Sequence, residues 1–373
     1  MPADTIAAVE TRILRLPTIR PHALAMATMQ AQRTVLVTVK TAEGLEGIGE
    51  AATIGGLSYV EESPESIKGA IDTYCGPLIQ GMDATRPGAV MAALNAGTAG
   101  NYFAKSAIEA ALFDIAGKRA GLPASELLGG RVRDRLPVLW VLASGDTEAD
   151  IAEAEDMLAN RRHNTFKLKI GTRNWREDVA HVAAIKAALG ARASLRVDVN
   201  QAWDLATARQ AVPALAEAGV DLIEQPLAGW DLAGAAELRR LGAAAIMADE
   251  AVRGGPPAAF KIVAGRAADA LALKPAQCGG LTACQGVAAV AQAGGLGLYG
   301  GTMLEAGVGT AASAHLFATL PGLAWGTELF APLLMSEEIL ETPLDYRDFE
   351  LAVPTGPGLG VALDEAAVKE LTE

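Results

Sequence analysis

A chain of 373 residues with 51% hydrophobic residues can bury a large core without disulfide staples, and this balance excludes a disordered chain. The net charge of −13 excludes a nucleic-acid surface, which needs a basic face. An anionic ligand must therefore be drawn in by a local field, not by the global one.

The first stretch, Met1-Pro2-Ala3-Asp4 onward to Glu10 and Arg12, carries acidic residues and no continuous apolar run, so no signal peptide is expected there. Val35-Leu36-Val37-Thr38-Val39 and Gly47-Ile48-Gly49 flank Thr41-Ala42-Glu43-Gly44, which predicts an antiparallel hairpin. Ser63-Pro64-Glu65 predicts a helix start, with serine as the cap and proline at the first helical position. Residues 104–120 predict a helix with Ile108, Leu112 and Ile115 on one face, stopped by Gly121-Leu122-Pro123. Strands followed by helices make residues 1–130 an α+β unit.

From about Leu136 short apolar runs alternate with alanine-rich helical segments. The runs are Val138-Leu139-Trp140-Val141, Thr165-Phe166-Lys167-Leu168-Lys169, Leu195-Arg196-Val197-Asp198, Asp221-Leu222-Ile223-Glu224, Ile246-Met247-Ala248-Asp249, Ala270-Leu271-Ala272-Leu273-Lys274 and Leu296-Gly297-Leu298-Tyr299. They predict successive βα units. Asp198, Glu224, Asp249 and Lys274 are 26, 25 and 25 residues apart, each at the carboxyl end of a run, and 25 more residues reach Tyr299. Such a period returns the chain to one height on the sheet each time, which in a (β/α)8-type barrel is the catalytic mouth. An open Rossmann-like sheet would spread those ends along a line. Residues 275–304 carry no charged side chain, yet their glutamines and Gly-Gly pairs suit buried strand, turn and helix units and not a membrane span.

Three carboxylates on adjacent strand ends, without His or Cys, read as an oxygen-only site for a hard cation, Mg²⁺ or Mn²⁺. The alternative for each is a helix N-cap. Lys167 and Lys169 lie two apart on a strand and so share a face, and Lys274 sits across the ring from them. Exposed lysines on an edge strand are the alternative there. A lysine beside a divalent cation and a second ammonium is expected to have a lowered pKa, which suits a general acid or base. The histidines His22, His163, His181 and His315 form no ligand spacing and read as surface or packing residues. Gly295-x-Gly297-x-x-Gly300 lacks the acidic residue that a dinucleotide site needs. Cys75, Cys278 and Cys284 contain no CxxC pair and fit a reducing, cytoplasmic compartment.

Phe166-Lys167-Leu168-Lys169, Val197-Asp198-Val199-Asn200-Gln201-Ala202-Trp203, Ile223-Glu224-Gln225-Pro226, Met247-Ala248-Asp249-Glu250 and Ala272-Leu273-Lys274 resemble the enolase superfamily. Thr53-Ile54-Gly55-Gly56-Leu57-Ser58-Tyr59 and Trp325-Gly326-Thr327-Glu328-Leu329-Phe330 resemble its muconate-lactonizing branch. The resemblance implies an α/β fold, a modified (β/α)7β TIM-type barrel over residues 131–340. An α+β capping domain of residues 1–130 is completed by 341–373. It implies Asp198, Glu224 and Asp249 as ligands of Mn²⁺ or Mg²⁺, with Asn200 and Glu250 beside them. Lys169 would be the general acid/base, Lys167 its electrostatic support, and Lys274 the stabiliser of the opposite side. Ile54, Tyr59 and Phe330 would shape the pocket, and Glu328 would stand near the substrate. A cytoplasmic homo-oligomer, an octamer by resemblance, is implied, with no nucleic-acid or membrane partner. Ala251 and Ala331 stand where the branch often has Ser and Gly, a difference that bears on substrate range.

The reaction so implied is lactonisation of a small dicarboxylate, cis,cis-muconate, to muconolactone through an enolate intermediate in catechol degradation. Three carboxylates, one divalent cation and three ammoniums leave about +2 at the mouth, matching a dianion. The alternatives are a chloromuconate cycloisomerase, a racemase/epimerase or an o-succinylbenzoate synthase of the same branch. A non-catalytic metal-binding assembly protein is the rival from another class.

Overall fold

The computed structural model describes residues 4–23 and 28–373. Residues 1–3, part of the stretch where no leader is expected, and residues 24–27 lie outside the described residues.

Three strands, β1 (Ile6–Ala23), β2 (Thr28–Thr41) and β3 (Glu46–Ala52), form an antiparallel sheet in that order. The predicted hairpin is the β2–β3 pair, in register from Thr34↔Ala52 to Lys40↔Glu46. β1 is the strand that the sequence reading passed over. It carries Pro17 and Pro21, and its pairing with β2 shifts register between Pro17 and His22, because proline cannot donate to the ladder. The start at Ser63 forms as expected and closes a capping box with Ser66.

The helix predicted over 104–120 spans Tyr102–Ala120 and ends at Gly121, whose φ of 69° is left-handed. It is not amphipathic. Every residue from Phe103 to Gly117 is buried, because the capping sheet covers one side and barrel helices the other. Gly47 and Gly49 of β3 permit this approach. A Cβ on Gly49 would stand 1.9 Å from the carbonyl oxygen of Ala107. Gly49→Ala is therefore expected to cost about 3 kcal/mol or more, the upper range for overpacking, read as a lower midpoint in urea.

β4 (Arg135–Pro137) pairs with the C-terminal strand Glu350–Ala352 and precedes the barrel. The barrel strands are β5 (Trp140–Leu142), β6 (Thr165–Lys169), β7 (Ser194–Asp198), β8 (Leu222–Glu224), β9 (Ala245–Ala248), β10 (Ala270–Leu273) and β11 (Gly297–Gly300). These seven pair in sequence order and in parallel, each at one of the predicted apolar runs. The ring closes through Thr327, which bridges Val138 on one side and Gly300 on the other. The eighth position is thus held by this single bridging residue after the seventh βα unit, a (β/α)7β arrangement. Register puts Lys169 beside Asp198, and Asp198 beside Glu224, at one end of the ring.

The capping sheet is fixed over that end. Gln32 donates from Nε2 to the carbonyls of Met303 and Leu304. The buried Glu50 carboxylate accepts from the N–H groups of Ala306 and Gly309, at the start of the helix Gly307–Ala318. The C-terminal segment returns to β1, where Leu14 bridges Thr372 and Thr18 bridges Met335. No described helix is long and apolar enough to cross a membrane, and residues 275–304 form strand, turn and helix units of the barrel.

Candidate active site

Strand alternation turns Lys167 and Lys169 inward while Phe166 and Leu168 pack outward. Lys167 is enclosed, its Nζ 2.6 Å from Glu328 Oε1, 2.9 Å from Glu224 Oε2 and 3.7 Å from Asp198 Oδ2. Lys169 keeps some exposure and donates to Asp198 Oδ2 at 2.6 Å. Lys274 donates to Asp249 Oδ2 at 2.5 Å from the far side of the ring. The capping domain reaches the same carboxylate, with the Tyr59 hydroxyl 2.7 Å from Asp249 Oδ2. Asn200 takes Asp198 Oδ1 through its backbone N–H and Glu250 Oε1 through its amide.

The carboxylates set the charge of two of the lysines. Burial alone would push Lys167 and Lys274 down, but the carboxylates of Glu224 and Glu328 hold Lys167 well above the usual lysine value. Asp249 and Glu224 do the same for Lys274. Both are ammoniums without a cation present. On the acidic side burial opposes ionisation everywhere. Lys169 and Lys167 nevertheless hold Asp198 below its ordinary value, and Lys274 holds Asp249 down to about 2. Glu224 goes the other way, pushed up by burial and by the neighbouring charge of Asp198, and Glu250 rises to about 8 through burial and Asp249. Glu328 also adds a carboxylate that the charge count at the mouth left out, so the local excess is about +1.

Among the described residues no three acidic, histidine or cysteine side chains stand as a ready-made ion cage. Each of Asp198, Glu224 and Asp249 instead leans on a lysine. Glu224 Oε1 and Asp249 Oδ1 are nevertheless buried with no hydrogen-bond partner among the described residues. Two partnerless carboxylate oxygens, on side chains whose like charges repel one another, are a donor set that suits a hard divalent cation. The backbone beyond β7 and β8 is correspondingly unusual: Asn200, Gln201 and Gln225 have φ of 46°, 68° and 35°. Strain of this kind clusters at functional sites, although helix ends such as Asn101 and Arg266 show positive φ as well.

The cavity enclosed here is lined by His22, Ile54, Tyr59, Lys169, Asn200, Lys274, Thr302, Leu304 and Glu328. Its free space is about 10 Å³, room for roughly one water. Ile54 and Tyr59 wall the cavity from the capping side, and between them Gly55 and Gly56 both have positive φ. Phe330 stands behind the wall, fully buried, edge-on to Trp140 at 5.1 Å and tilted to His22 at 6.3 Å.

The histidines are not surface residues, because all four are buried. His163 and His315 hydrogen-bond backbone carbonyls, and His181 meets Thr147. His22 is different, since it faces the cavity. Its position in a proline-interrupted strand gave no sequence signal of that role. Thr302 and Leu304 were also missed as cavity residues, although they lie just beyond Tyr299, the fifth mark of the 25-residue period.

Residues 8–129 match the family described as "Mandelate racemase / muconate lactonizing enzyme, N-terminal domain", and residues 149–367 match "Enolase C-terminal domain-like". The chain is 56% identical over 359 residues to a muconate cycloisomerase 1-2 of Acinetobacter lwoffii, covering 96% of this chain and 93% of that one. A chloromuconate cycloisomerase of Cupriavidus necator is 43% identical over 98% of this chain and 99% of its own. The crystal structure of a muconate lactonizing enzyme from Pseudomonas fluorescens, complexed with muconolactone, superposes with a TM-score of 0.98. It is 55% identical, with all of both chains covered.

Proposed function

The chain belongs to the mandelate racemase / muconate lactonizing enzyme family of the enolase superfamily, and from that premise we propose that it is an enzyme that cycloisomerises cis,cis-muconate to muconolactone. The observation that carries the reading is the pair Lys169 and Lys274 on two sides of one cavity, beside three buried carboxylates. Greater identity to the muconate than to the chloromuconate enzyme supports the unchlorinated substrate.

Enzymes of this superfamily use a divalent metal ion, and Asp198, Glu224 and Asp249 would hold it here as Mn²⁺ or Mg²⁺, supplying positive charge to one substrate carboxylate as electrons move towards it. The other carboxylate adds to the distant double bond, and Lys169 protonates the carbon beside the first. Lys167, fixed between Glu224 and Glu328, keeps its charge at the foot of the site and supports the enolate. Lys274 places an ammonium on the opposite side. These groups are in position before reaction, so they stabilise charge that exists only along the path. Ile54 and Tyr59 close over the substrate and exclude water, and Phe330 backs the wall.

The architecture supports a capping domain of residues 1–130 completed by 341–373, around a barrel of 131–340. Three buried free cysteines accord with a reducing cytoplasmic setting. A homo-oligomer, an octamer by resemblance, is proposed for the assembly.

Muconate is a conjugated diene and muconolactone is not, so the reaction is read by ultraviolet absorbance. Adding the full-length chain and Mn²⁺ to muconate is expected to remove the diene band. Persistence of the band overturns the muconate reading.

A further inference from the structure

Lactonisation changes the charge of the substrate, and that places a demand on Lys169. One carboxylate oxygen forms a bond to the alkene carbon, the π electrons move towards the other carboxylate, and the carbon beside it takes a proton. A dianion thus becomes a monoanion, and each turnover consumes one proton from solvent. Lys169 supplies it, is left as an amine, and must be reprotonated before it acts again. Its substrate side is then occupied by substrate or product.

Lys169 also borders a second cavity, and among the described residues it is the only one that lines both. The second has about 50 Å³ of free space, room for about three waters. It runs from Thr172 and Arg173, which are exposed, to Asp150, Asp178 and His181, which are buried. None of these five lines the substrate cavity. His181 Nδ1 lies 2.7 Å from the Thr147 hydroxyl, and its Nε2 lies 3.3 Å from Asp150 Oδ2. A hydroxyl donates or accepts as it rotates, so Thr147 stays bonded whichever ring nitrogen carries the proton. Asp150 Oδ1 accepts from the Ser144 N–H and hydroxyl. Asp150 Oδ2, near His181 but not aligned with it, is buried without a hydrogen bond among the described residues. A carboxylate oxygen so placed, beside a cavity of this size, calls for water. The charged groups that line the cavity with His181 are Asp150 on the helix Thr147–Ala159, Asp178 on the histidine's own helix Trp175–Leu189, Arg173 before that helix, and Lys169 on β6.

We propose that this second cavity is the proton-entry route of the reaction, and that His181 is a relay residue that returns a proton to Lys169 after each turnover. His181 acts through Lys169 and does not touch the substrate. An N–H bond of its imidazolium breaks, cavity water carries the proton, and an N–H bond forms on Lys169 Nζ. The imidazole then regains a proton from solvent at the Thr172 and Arg173 end. No electrons are exchanged. An amine is ordinarily a stronger base than an imidazole, so the transfer runs downhill, and histidine ordinarily takes up and releases protons near neutral pH.

The proposal rests on the muconate reading, and its test keeps the two apart. The full-length wild type, His181→Gln and His181→Ala are mixed rapidly with excess muconate at saturating Mn²⁺, and diene loss is followed from the first turnover, with thermal denaturation as a control. Both variants are expected to lose the first equivalent of diene at the wild-type rate. Their later turnovers then slow by about 10²-fold, the lower end of what a positioned proton carrier contributes. Glutamine keeps a hydrogen bond to Thr147 but carries no proton, so it does not recover the steady state. Imidazole added to His181→Ala is expected to speed the slow phase and to leave the wild type unchanged.

Steady-state rates of both variants within about twofold of wild type, far below a proton carrier's contribution, overturn the proposal. So does equal slowing of the first and later turnovers, which assigns His181 to the shape of the site. Recovery by His181→Gln reduces the role to a hydrogen bond. A burst that imidazole does not relieve in His181→Ala assigns the slow step to product release, and it too overturns the relay. A wild-type chain inert towards muconate removes the underlying reading and the proposal with it, whereas an active wild type matched by its variants removes the proposal alone.

Discussion

Lys169→Met is expected to lower kcat by about 10⁴-fold, the upper end of what a positioned proton donor contributes, while the folded chain loses little stability. The two halves of that result have separate causes. Lys169 borders the cavity where the substrate carbon must receive its proton, and its side chain is 10% exposed. When it is removed, Asp198 still has the Asn200 backbone N–H at 2.9 Å and the Lys167 ammonium at 3.7 Å. Lys167→Met is the contrasting variant. It strips the close ammonium from Glu224 and Glu328 together, in a fully enclosed place. Breaking a buried pair by removing one partner costs about 3–5 kcal/mol, so Lys167→Met is expected to lose stability as well as activity. Thermal denaturation beside the diene assay separates the two. Near-normal lactone formation by Lys169→Met refutes its role, and equal Tm losses for both variants refute the division of labour.

The lysines differ in this way because of features that lie at different depths in the sequence. Two lysines spaced two apart on an apolar run state their common face directly, since a strand alternates by geometry. The 25-residue period likewise states that Asp198, Glu224, Asp249 and Lys274 end at one height, because βα units of equal length return the chain to the same level. What the spacing does not contain is which ammonium faces which carboxylate. That Lys167 sinks to Glu328, a residue beside the closing bridge 161 positions away, depends on how the ring shuts. The closing segment around Thr327 is too short to show a pattern. The carboxylates that hold Lys167 and Lys274 as ammoniums are set by the same ring closure.

The capping domain was the less legible half. A hairpin such as β2–β3 announces itself by alternation around a turn, but β1 is broken by Pro17 and Pro21 and is half-buried along much of its length. His22 sits beyond the register shift, so period-two reasoning could not assign its face. The helix Tyr102–Ala120 was read as one-sided because Ile108, Leu112 and Ile115 share a face. Its alanines and glycine do the remaining work, letting β3 and the barrel approach from other sides. Small residues are silent about burial in a periodicity argument, since they fit either environment.

Chelation of divalent ions is expected to abolish diene loss while leaving the fold intact, and Mn²⁺ or Mg²⁺ is expected to restore it. Removal of a cation from three carboxylates ordinarily leaves mutual repulsion in a dry site. Here Lys167, Lys169 and Lys274 already pair with Glu224, Asp198 and Asp249, so the metal-free chain has counter-charges in place. Far-ultraviolet circular dichroism should therefore not change on chelation. The ion still has something to gain, because Glu224 Oε1 and Asp249 Oδ1 have no partner among the described residues and burial with Asp198 pushes Glu224 up. Ligation to the folded state alone should raise stability by about 2.7 kcal/mol at one hundred times the dissociation constant, seen as a concentration-dependent rise in Tm. Glu224→Gln keeps the shape but gives up the charge, and it is expected to weaken that rise together with activity. A chain that lactonises muconate at full rate in excess chelator, or a Tm indifferent to Mn²⁺ and Mg²⁺ alike, contradicts the assignment of these three carboxylates to a shared ion.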